Sequence, residues 1–424
     1  MTSHDDPATL RGQLRRGRGT AARRAPQEPG TADAVYECVI NDPRWDRQVD
    51  QRDGYLASLI LHLDLPLEPI ELHLNASDDK DVDSVELALQ VLASLPLVGR
   101  RDAAVVLRRY ALEGTHWDAA LEAIGSAGTM KLPDLWDGLA DDIVAAHGED
   151  RIKAVAWYGS EPWKTWAESR PEIRRILAVD ERSRQQSHGP RTHYRQLRQT
   201  ITESTTEELI RRVAAGGPER RPALEELGNR GEQLVLDLAE DPGLRNSAGW
   251  IPGMPQALHR LGTAALPRAR VWLTGDGTLA ELGVRVLAEH GDDSDVPALL
   301  SALRHDLDDG NWCSAEIPAR GLGRLHARHA ADDLAAAWDN TTHSLAREAF
   351  LDGLRGCDPE IAEPFAEEGL WDCEPSVQQF ACATATDNGN VRSRLGELAD
   401  DPLTPEVHDA ASTRLAALLD TDRM

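Results

Sequence analysis

Two histidines three residues apart form a spacing that zinc sites use. His326 and His329 lie in the segment LHARH, with Cys313 upstream and His343 downstream. Histidines at this spacing share one helix face, where they can bind zinc if other ligands converge. The five cysteines, however, are irregularly spaced and include no C-x-x-C pair, which is typical of reduced thiols rather than of a metal or disulfide framework. The pattern therefore favours no metal site, and we predict no cofactor.

Arginine and tryptophan side chains cluster in two short stretches of the sequence. Arg44, Trp45, Arg47 and Arg52 form the first, and Trp117 belongs to the second. Interfaces use exposed Trp and Arg as anchors, and the same side chains can line a groove for a base or a sugar. The competing interpretation is structural: neighbouring aspartates pair with the arginines at a helix start, and Trp117 packs in the core. We predict these five residues as the contact residues of a binding surface.

The motifs of the common enzyme classes are absent from the sequence. It contains no G-x-x-x-x-G-K-[ST] loop, no G-x-G-x-x-G after a strand, no G-x-S-x-G elbow and no H-E-x-x-H helix. We therefore predict no catalytic residues. A repeat-bearing lyase or other unusual enzyme stays open as a further alternative.

The elements that position these residues are helices with apolar side chains at helical spacing. In the C-terminal half, one register contains Leu258, Leu287, Leu322, Leu351, Ala381 and Leu415. The intervals between them are 29, 35, 29, 30 and 34 residues. A period of this size is typical of stacked helix pairs. The sequence therefore predicts an all-α fold of antiparallel helix pairs in a curved array.

The helix pairs resemble a known repeat family. Residues 295–300 (DVPALL) begin a short helix at an aspartate, and residues 345–351 (LAREAFL) belong to a longer Ala/Leu helix. This alternation resembles HEAT repeats, in particular the short bacterial class called phycobilin-lyase-like, over residues 206–420 and more weakly over 32–179. The resemblance implies a right-handed α-solenoid with a concave binding surface, and HEAT proteins are mostly scaffolds.

Charge and hydropathy limit the classes of partner. Acidic residues outnumber basic ones 72 to 46, giving a net charge of −26. A field of this sign repels nucleic acid and anionic membranes, and it also keeps a protein in solution. No apolar run is long enough to span a membrane, and the N-terminus has no secretory signal pattern. We predict a cytoplasmic location.

Composition divides the chain into four parts. Residues 1–31 are rich in Arg, Gly, Ala and Pro, and we predict a disordered arm there. Residues 32–180 form an N-terminal helical region, and residues 206–424 form the HEAT-like region. Between them, residues 181–205 are polar and basic with a Gly-Pro break, which predicts a linker or exposed loop.

Three functions follow from this reading. The first is a non-catalytic scaffold that binds a protein or peptide partner. The second is a DNA-binding or DNA-repair protein, because some HEAT-like proteins are alkylpurine DNA glycosylases that hold a lesion between Trp and Asp. The cluster of Trp157, Trp163 and Trp166 and the basic stretch 182–198 motivate this alternative. The third is an enzyme that carries the repeat. The oligomeric state stays open.

Overall fold

A computed structural model describes residues 6–76, 81–129, 132–156, 159–177, 200–247, 249–275 and 277–421. Within these ranges the secondary structure is α-helix with short 3-10 turns and no β-strand, as the sequence predicts. No helix in the described ranges combines the length and apolar composition that crossing a bilayer requires. Most of the predicted linker, residues 181–199, lies outside the described residues, as does Trp157.

The chain divides into two compact units, each built from segments that are distant in the sequence. The first unit contains Met1–Val179, Asp339–Glu348 and Glu363–Met424, and the second contains Asp180–Trp338 and Ala349–Ala362. The C-terminal residues therefore belong to the same unit as the N-terminal ones. The sequence predicts a single division of the chain at residues 181–205, whereas the first observed unit combines segments from both sides of that stretch.

The first unit contains fourteen of the described helices. They are α1 (Leu10–Arg16), α2 (Gly19–Arg24), α3 (Thr31–Ile40), α4 (Asp53–His62), α5 (Glu68–Asn75), α6 (Glu86–Ser94), α7 (Arg101–Glu113), α8 (Trp117–Thr129), α9 (Leu139–Val155), α10 (Trp163–Ser169), α11 (Pro171–Ile176), α23 (Pro375–Thr384), α24 (Gly389–Asp400) and α25 (His408–Thr421). Neighbouring helices pack in pairs, for example α7 with α8 and α24 with α25.

The second unit contains eight further described helices. They are α12 (Thr206–Ala215), α13 (Arg220–Asn229), α14 (Leu234–Glu240), α15 (Met254–Leu261), α16 (Leu266–Trp272), α17 (Thr278–His290), α18 (Val296–Asp308) and α19 (Trp312–Arg324). Three helices have residues in both units: α20 (Ala331–Asn340), α21 (Ala346–Cys357) and α22 (Pro359–Gly369). Within the second unit, α16 packs on α17 and α18 packs on α19. Alternate helices also meet, since α13 contacts α15, α15 contacts α17 and α17 contacts α19.

The apolar register predicted from the sequence is buried at five of its six positions. Leu258 is 1% exposed, and Leu287, Leu322, Leu351 and Ala381 are fully buried. The sixth residue, Leu415, is only half-buried. Helical spacing therefore identified core positions correctly along most of the C-terminal half, and the interpretation is wrong only at its last member.

Helices α19 and α21 approach so closely that glycine is required where they meet. A Cβ atom on Gly353 would lie 2.5 Å from the carbonyl oxygen of Ala319. Such a contact is shorter than van der Waals packing allows, and both groups belong to helix backbones that cannot rotate away.

We expect Gly353→Ala to lower the free energy of unfolding by about 1–3 kcal/mol, because it overpacks this contact. Gly396→Ala is the matched control, since Gly396 lies inside α24 and a Cβ there meets open space. Alanine has the better helix propensity, so the control should gain about 0.5–1 kcal/mol. Chemical denaturation measures both values. If both substitutions changed the free energy of unfolding in the same direction, the result would contradict the close packing of α19 and α21.

Residues 6–31 are folded, which corrects the prediction of a disordered arm over residues 1–31 for the part of that range that the structure describes. The side chain of Thr9 accepts a hydrogen bond from Gly12 N at the start of α1, and Gly17, at φ 68°, ends the helix. Leu14 is fully buried, and Arg16 and Arg18 are about 5% exposed. The Arg-rich composition suggested disorder because arginine side chains usually lie at the surface. Here the arginines are buried against partners more than 300 residues away in the sequence.

Candidate binding pocket

A fully buried ion pair lies within the first unit. Arg347 donates from Nε and Nη2 to the two carboxylate oxygens of Asp372 at 2.9 and 2.7 Å, and neither side chain is exposed. Its Nη1 donates to the carbonyl oxygen of Arg16 at 2.9 Å. Burial opposes the charge of Arg347, but the carboxylate of Asp372 outweighs it and raises the arginine pKa above its usual value. The pair therefore stays ionised and attaches the N-terminal segment to α21.

A second buried pair holds the same segment. Arg18 donates to both carboxylate oxygens of Glu368 at 2.7 and 2.8 Å, and to Asp339 at 2.9 Å. The backbone N–H of Thr20 donates to Glu368 as well. Burial works against the charge of Glu368, yet the Arg18 guanidinium lowers the carboxyl pKa below its usual range. A bidentate pair of this kind fixes the relative orientation of the two side chains and also contributes to stability.

Asp50 accepts five hydrogen bonds, although its side chain is buried. The imidazole Nδ1 of His343 lies 2.8 Å from Oδ1, and the backbone N–H and hydroxyl of Ser344 donate to the same oxygen at 2.9 and 2.7 Å. The backbone N–H groups of Trp45 and Asp46 donate to Oδ2. Burial would raise the pKa of Asp50, but these bonds, above all that from His343, hold it well below its usual range.

These residue types resemble a hydrolase triad, but their geometry excludes that chemistry. In a triad the serine donates to the histidine, whereas Ser344 donates to the carboxylate of Asp50. His343 is 1% exposed and Ser344 is fully buried, so a substrate cannot reach either. The cluster is structural.

The carboxyl group of Glu374 lies beside this cluster. Its Oε2 lies 3.0 Å from the hydroxyl oxygen of Ser344, whose single proton can go to either Glu374 or Asp50. Burial raises the pKa of Glu374 to about 7, and the nearby negative charge of Asp372 acts in the same direction. The Ser344 hydroxyl can donate to the ionised carboxylate of Glu374, which opposes the rise in its pKa, whereas below about pH 7 the protonated carboxyl can donate to Ser344.

We expect Glu374→Gln to remove a pH-dependent loss of stability. Because the folded pKa lies above the ordinary value of 4.5, the folded protein holds a proton that the unfolded chain releases. Stability from this group is fully present below pH 4.5, declines up to about 7 and stays low above it. The amide mimics the protonated carboxyl, so the variant should gain stability relative to the native protein between pH 5 and 8, by an amount on the order of 3 kcal/mol.

Unfolding midpoints across this pH range measure the difference. Glu363→Gln, at an exposed position on α22, is the control and should follow the native curve. A variant curve parallel to the native one would show that Glu374 is already ionised in the folded protein.

The buried thiol of Cys373 contacts the guanidinium groups of Arg52 and Arg347. Burial raises the pKa of this thiol to about 12, which disfavours the thiolate that nucleophilic chemistry requires. The guanidinium Nη1 of Arg52 contacts the sulfur, and its Nη2 donates to the carbonyl oxygen of Arg16 at 3.0 Å. The backbone N–H of Cys373 donates to the carbonyl oxygen of Gly17 at 3.0 Å.

A cavity of about 500 Å³ opens above this network within the first unit. Asp372 and Cys373 contribute to its lining, together with residues of α4, α23 and α24. Gln378, which is 4% exposed, donates from Nε2 to the carbonyl oxygen of Asp372 at 2.6 Å. That bond fixes the orientation of the amide, and no described residue donates to its Oε1. The buried hydroxyl of Thr404 also lacks a partner among the described residues. Gln378 and Thr404 both belong to the lining of the cavity, although these two oxygen atoms are themselves buried.

The charged groups around the cavity are mainly acidic. The lining contains five carboxylates, from Asp53, Asp372, Glu397, Asp401 and Glu406. Two of them are paired with arginines, Asp372 with Arg347 and Glu397 with Arg394. The two lining arginines already have protein partners. Arg23 lies 5.0 Å from the ring of Trp371 and pairs with Glu367, and Arg394 lies 5.6 Å from the same ring and pairs with Glu397. The cavity therefore favours a cationic group that can donate hydrogen bonds.

A second cavity, of about 520 Å³, adjoins the first. Both are lined by Gln51 and Asp53, and the second is also lined by Arg44 and Arg47. Two of the residues predicted to make contacts thus line this surface. Arg44 is held by Asp42 at 2.7 Å with a side chain only 4% exposed, whereas Arg47 is 39% exposed.

The remaining three predicted contact residues differ in their exposure to solvent. Trp45 is 46% exposed and its ring lies 4.7 Å from that of His343, so it is available at the surface. Arg52 is fully buried in the charge network, and Trp117 is 3% exposed and stacks on His147 at 4.0 Å. The prediction that Arg52 and Trp117 are contact residues is therefore wrong, since neither reaches the surface. The structural interpretation applies to both.

The tryptophan cluster, His326 and the basic stretch are the other sequence candidates. Trp163 and Trp166 are buried against each other in an edge-to-face pair. His326 donates from Nδ1 to the carbonyl oxygen of Gly356 at 2.9 Å. Residues 182–198, the basic stretch behind the DNA alternative, lie outside the described residues.

Sequence reasoning missed the lining residues Trp371, Gln378 and Thr404. The usable signal was charge complementarity: the arginine-rich segment at the N-terminus matches the acidic stretch DCE at residues 372–374. No signal in the sequence marks an unpartnered amide oxygen, because that property depends on what surrounds it. Comparison of the chain with protein-family models, with curated proteins and with solved structures finds no match.

Proposed function

We propose that this protein is a non-catalytic, HEAT-like binding protein that recognises a protein or peptide partner. In this proposal, the helix pairs of each unit are antiparallel and form a right-handed α-solenoid. The packing of consecutive helices and of alternate helices in the second unit supports it, because stacked helix pairs require both contacts. The near-regular spacing of the buried leucines gives independent support.

The partner places a lysine or arginine side chain in the 500 Å³ cavity. The observation that carries this proposal is the acidic lining of the cavity, where Asp53, Asp401 and Glu406 have no arginine or lysine partner among the described residues. The buried oxygens Gln378 Oε1 and Thr404 Oγ1, in the same lining residues, lack hydrogen-bond partners. An unsatisfied buried acceptor costs free energy, and a ligand that donates to it removes that cost. Ammonium and guanidinium groups donate several hydrogen bonds and carry the complementary charge.

An extended chain fits the surface better than a compact small molecule. The two cavities share the lining residues Gln51 and Asp53, so they lie next to one another. Trp45 and Arg47 are exposed close to the second cavity and supply the side-chain types that interfaces use as anchors. A peptide that fills the first cavity with one basic side chain can continue into the second.

Fluorescence anisotropy with labelled peptide libraries tests this proposal. Each library has one fixed central residue, Arg, Lys, Leu or Glu, between randomised positions. The native protein should bind the Arg and Lys libraries most tightly. Preference for the Glu library would overturn the proposal, and tight duplex DNA binding that weakens steeply with salt would support the nucleic-acid alternative.

Two variants connect such binding to the cavity. Thr404→Val removes an unpartnered hydroxyl without changing the shape of the side chain, so it should weaken binding and leave stability equal or higher. Glu406→Gln removes one lining charge and should also weaken binding. Glu363→Gln makes the same charge change outside the cavity and should bind as the native protein does. Equal losses in all three would mean that net charge, rather than this cavity, attracts the peptide.

A further inference from the structure

Two histidines and a glutamate converge on one face of the second unit. His259 lies in the last turn of α15, and Glu289 and His290 lie at the end of α17. One nitrogen of each imidazole and one carboxylate oxygen lie within 4.8 Å of one another. The two helices are in contact, so the backbone holds the three side chains together.

The distances suit a first-row transition metal. His259 Nδ1 lies 2.8 Å from Glu289 Oε2, and His290 Nε2 lies 3.7 Å from the same oxygen. Zinc binds nitrogen and oxygen ligands at about 2.0–2.2 Å, which places two ligands of a tetrahedron about 3.3 Å apart. The two observed separations lie on either side of that value. The side chain of His259 is 61% exposed, so its ring has room for the small adjustment.

His290 is held in place before any ion binds. Its Nε2 lies 3.0 Å from the carbonyl oxygen of His259, and its side chain is only 19% exposed. The two rings lie 5.4 Å apart. Binding of an ion at Nε2 would replace this hydrogen bond, and the Nε2 proton would be released or move to Nδ1.

We propose that His259, Glu289 and His290 form a binding site for Zn²⁺ or a similar divalent transition metal. Imidazole and carboxylate ligands select such ions over Mg²⁺ and Ca²⁺, which prefer all-oxygen sites. Three protein ligands leave at least one coordination position for water or for a group from another molecule. The ion would also connect α15 to α17.

Isothermal titration of the full, tag-free chain with ZnCl₂, in excess Mg²⁺, tests the proposal. We expect one ion per chain, with an affinity that falls at low pH as protons compete for the imidazoles. His259→Ala and His290→Ala should each weaken binding by at least about 100-fold, because changes to outer partners alone cost about 10–100-fold. Glu289→Gln keeps the shape of the side chain but removes its charge, and it should also weaken binding.

His305→Ala is the matched control. His305 is also exposed, at 74%, and faces the carboxylate of Asp309 at 3.7 Å, but no second histidine joins that pair. The control should retain native affinity. Zinc binding that persists unchanged in both His259→Ala and His290→Ala, or no binding by the native protein, would overturn the assignment. Circular dichroism of each variant should show native helix content, which separates loss of a ligand from loss of folding.

Discussion

Arg347→Ala should lower the free energy of unfolding by about 3–5 kcal/mol, because it leaves the carboxylate of Asp372 buried without its partner. Neither residue is exposed, so water cannot replace the lost guanidinium. The variant also loses the hydrogen bond to the carbonyl oxygen of Arg16. Chemical denaturation followed by circular dichroism gives the value.

Arg304→Ala is the matched control for this prediction. Arg304 donates from Nε and Nη2 to both oxygens of Asp333, the same two-bond geometry, but its side chain is 56% exposed. Its loss should leave the unfolding midpoint nearly unchanged, because water solvates the remaining carboxylate. The double variant Arg347→Met with Asp372→Leu should recover much of the lost stability, since it removes both buried charges. Equal effects of Arg347→Ala and Arg304→Ala would contradict the burial of the first pair.

Truncation of the chain to begin at Ala32 should destabilise the first unit severely. It removes Leu14, whose loss alone is worth about 2–5 kcal/mol, and it leaves Glu368 buried without Arg18. The melting temperature should fall by at least about 10 °C. Composition alone predicts a removable arm and a change within a degree or two, so differential scanning calorimetry distinguishes the two accounts.

A single substitution supports the interpretation of the truncation. Arg18→Met keeps the N-terminal helices and much of the side-chain volume but removes the partner of Glu368. It should reproduce part of the loss, whereas Arg11→Ala, at a half-exposed position of α1, should have little effect. A truncated protein with the native melting temperature would show that the N-terminal helices add nothing to stability.

The helical fold and much of its core could be predicted from the sequence. Apolar spacing identified Leu287, Leu322 and Leu351 as core residues, because a helix repeats its buried face every three to four residues. Helical spacing depends on residues close together in the sequence, so it can be recognised from the sequence alone. The folding of the N-terminal segment depends on distant residues, since Arg18 pairs with Glu368, 350 residues away.

The candidate site was predictable only in part, for the same reason. Trp45 and Arg47 are exposed, as their residue types suggest for an interface. Arg52 belongs to the same sequence cluster but is buried, because the sulfur of Cys373 and the carbonyl of Arg16 contact its guanidinium. Neither partner is close to it in sequence. The Oε1 atom of Gln378 is likewise buried without a partner because distant segments of the chain enclose it.

The charge network and the cavity depend on one another. Asp372 and Cys373 belong to the buried cluster and also line the cavity, as do Ala22 and Arg23 of the N-terminal segment. Loss of that segment should therefore abolish peptide binding as well as stability. Thr404→Val, in contrast, should separate the two properties, because it weakens binding without destabilising the fold.

The most direct test of the account compares two peptides that differ by one charge. A peptide selected from the Arg library is synthesised with arginine or with citrulline, its neutral isostere, at the central position, and both are titrated against the native protein. The account predicts that citrulline weakens binding by at least about 10-fold, because each lost charge-assisted hydrogen bond is worth about 1.5–3 kcal/mol. Equal affinity for the two peptides, or tighter binding of the citrulline peptide, would contradict recognition of a basic side chain by the acidic cavity.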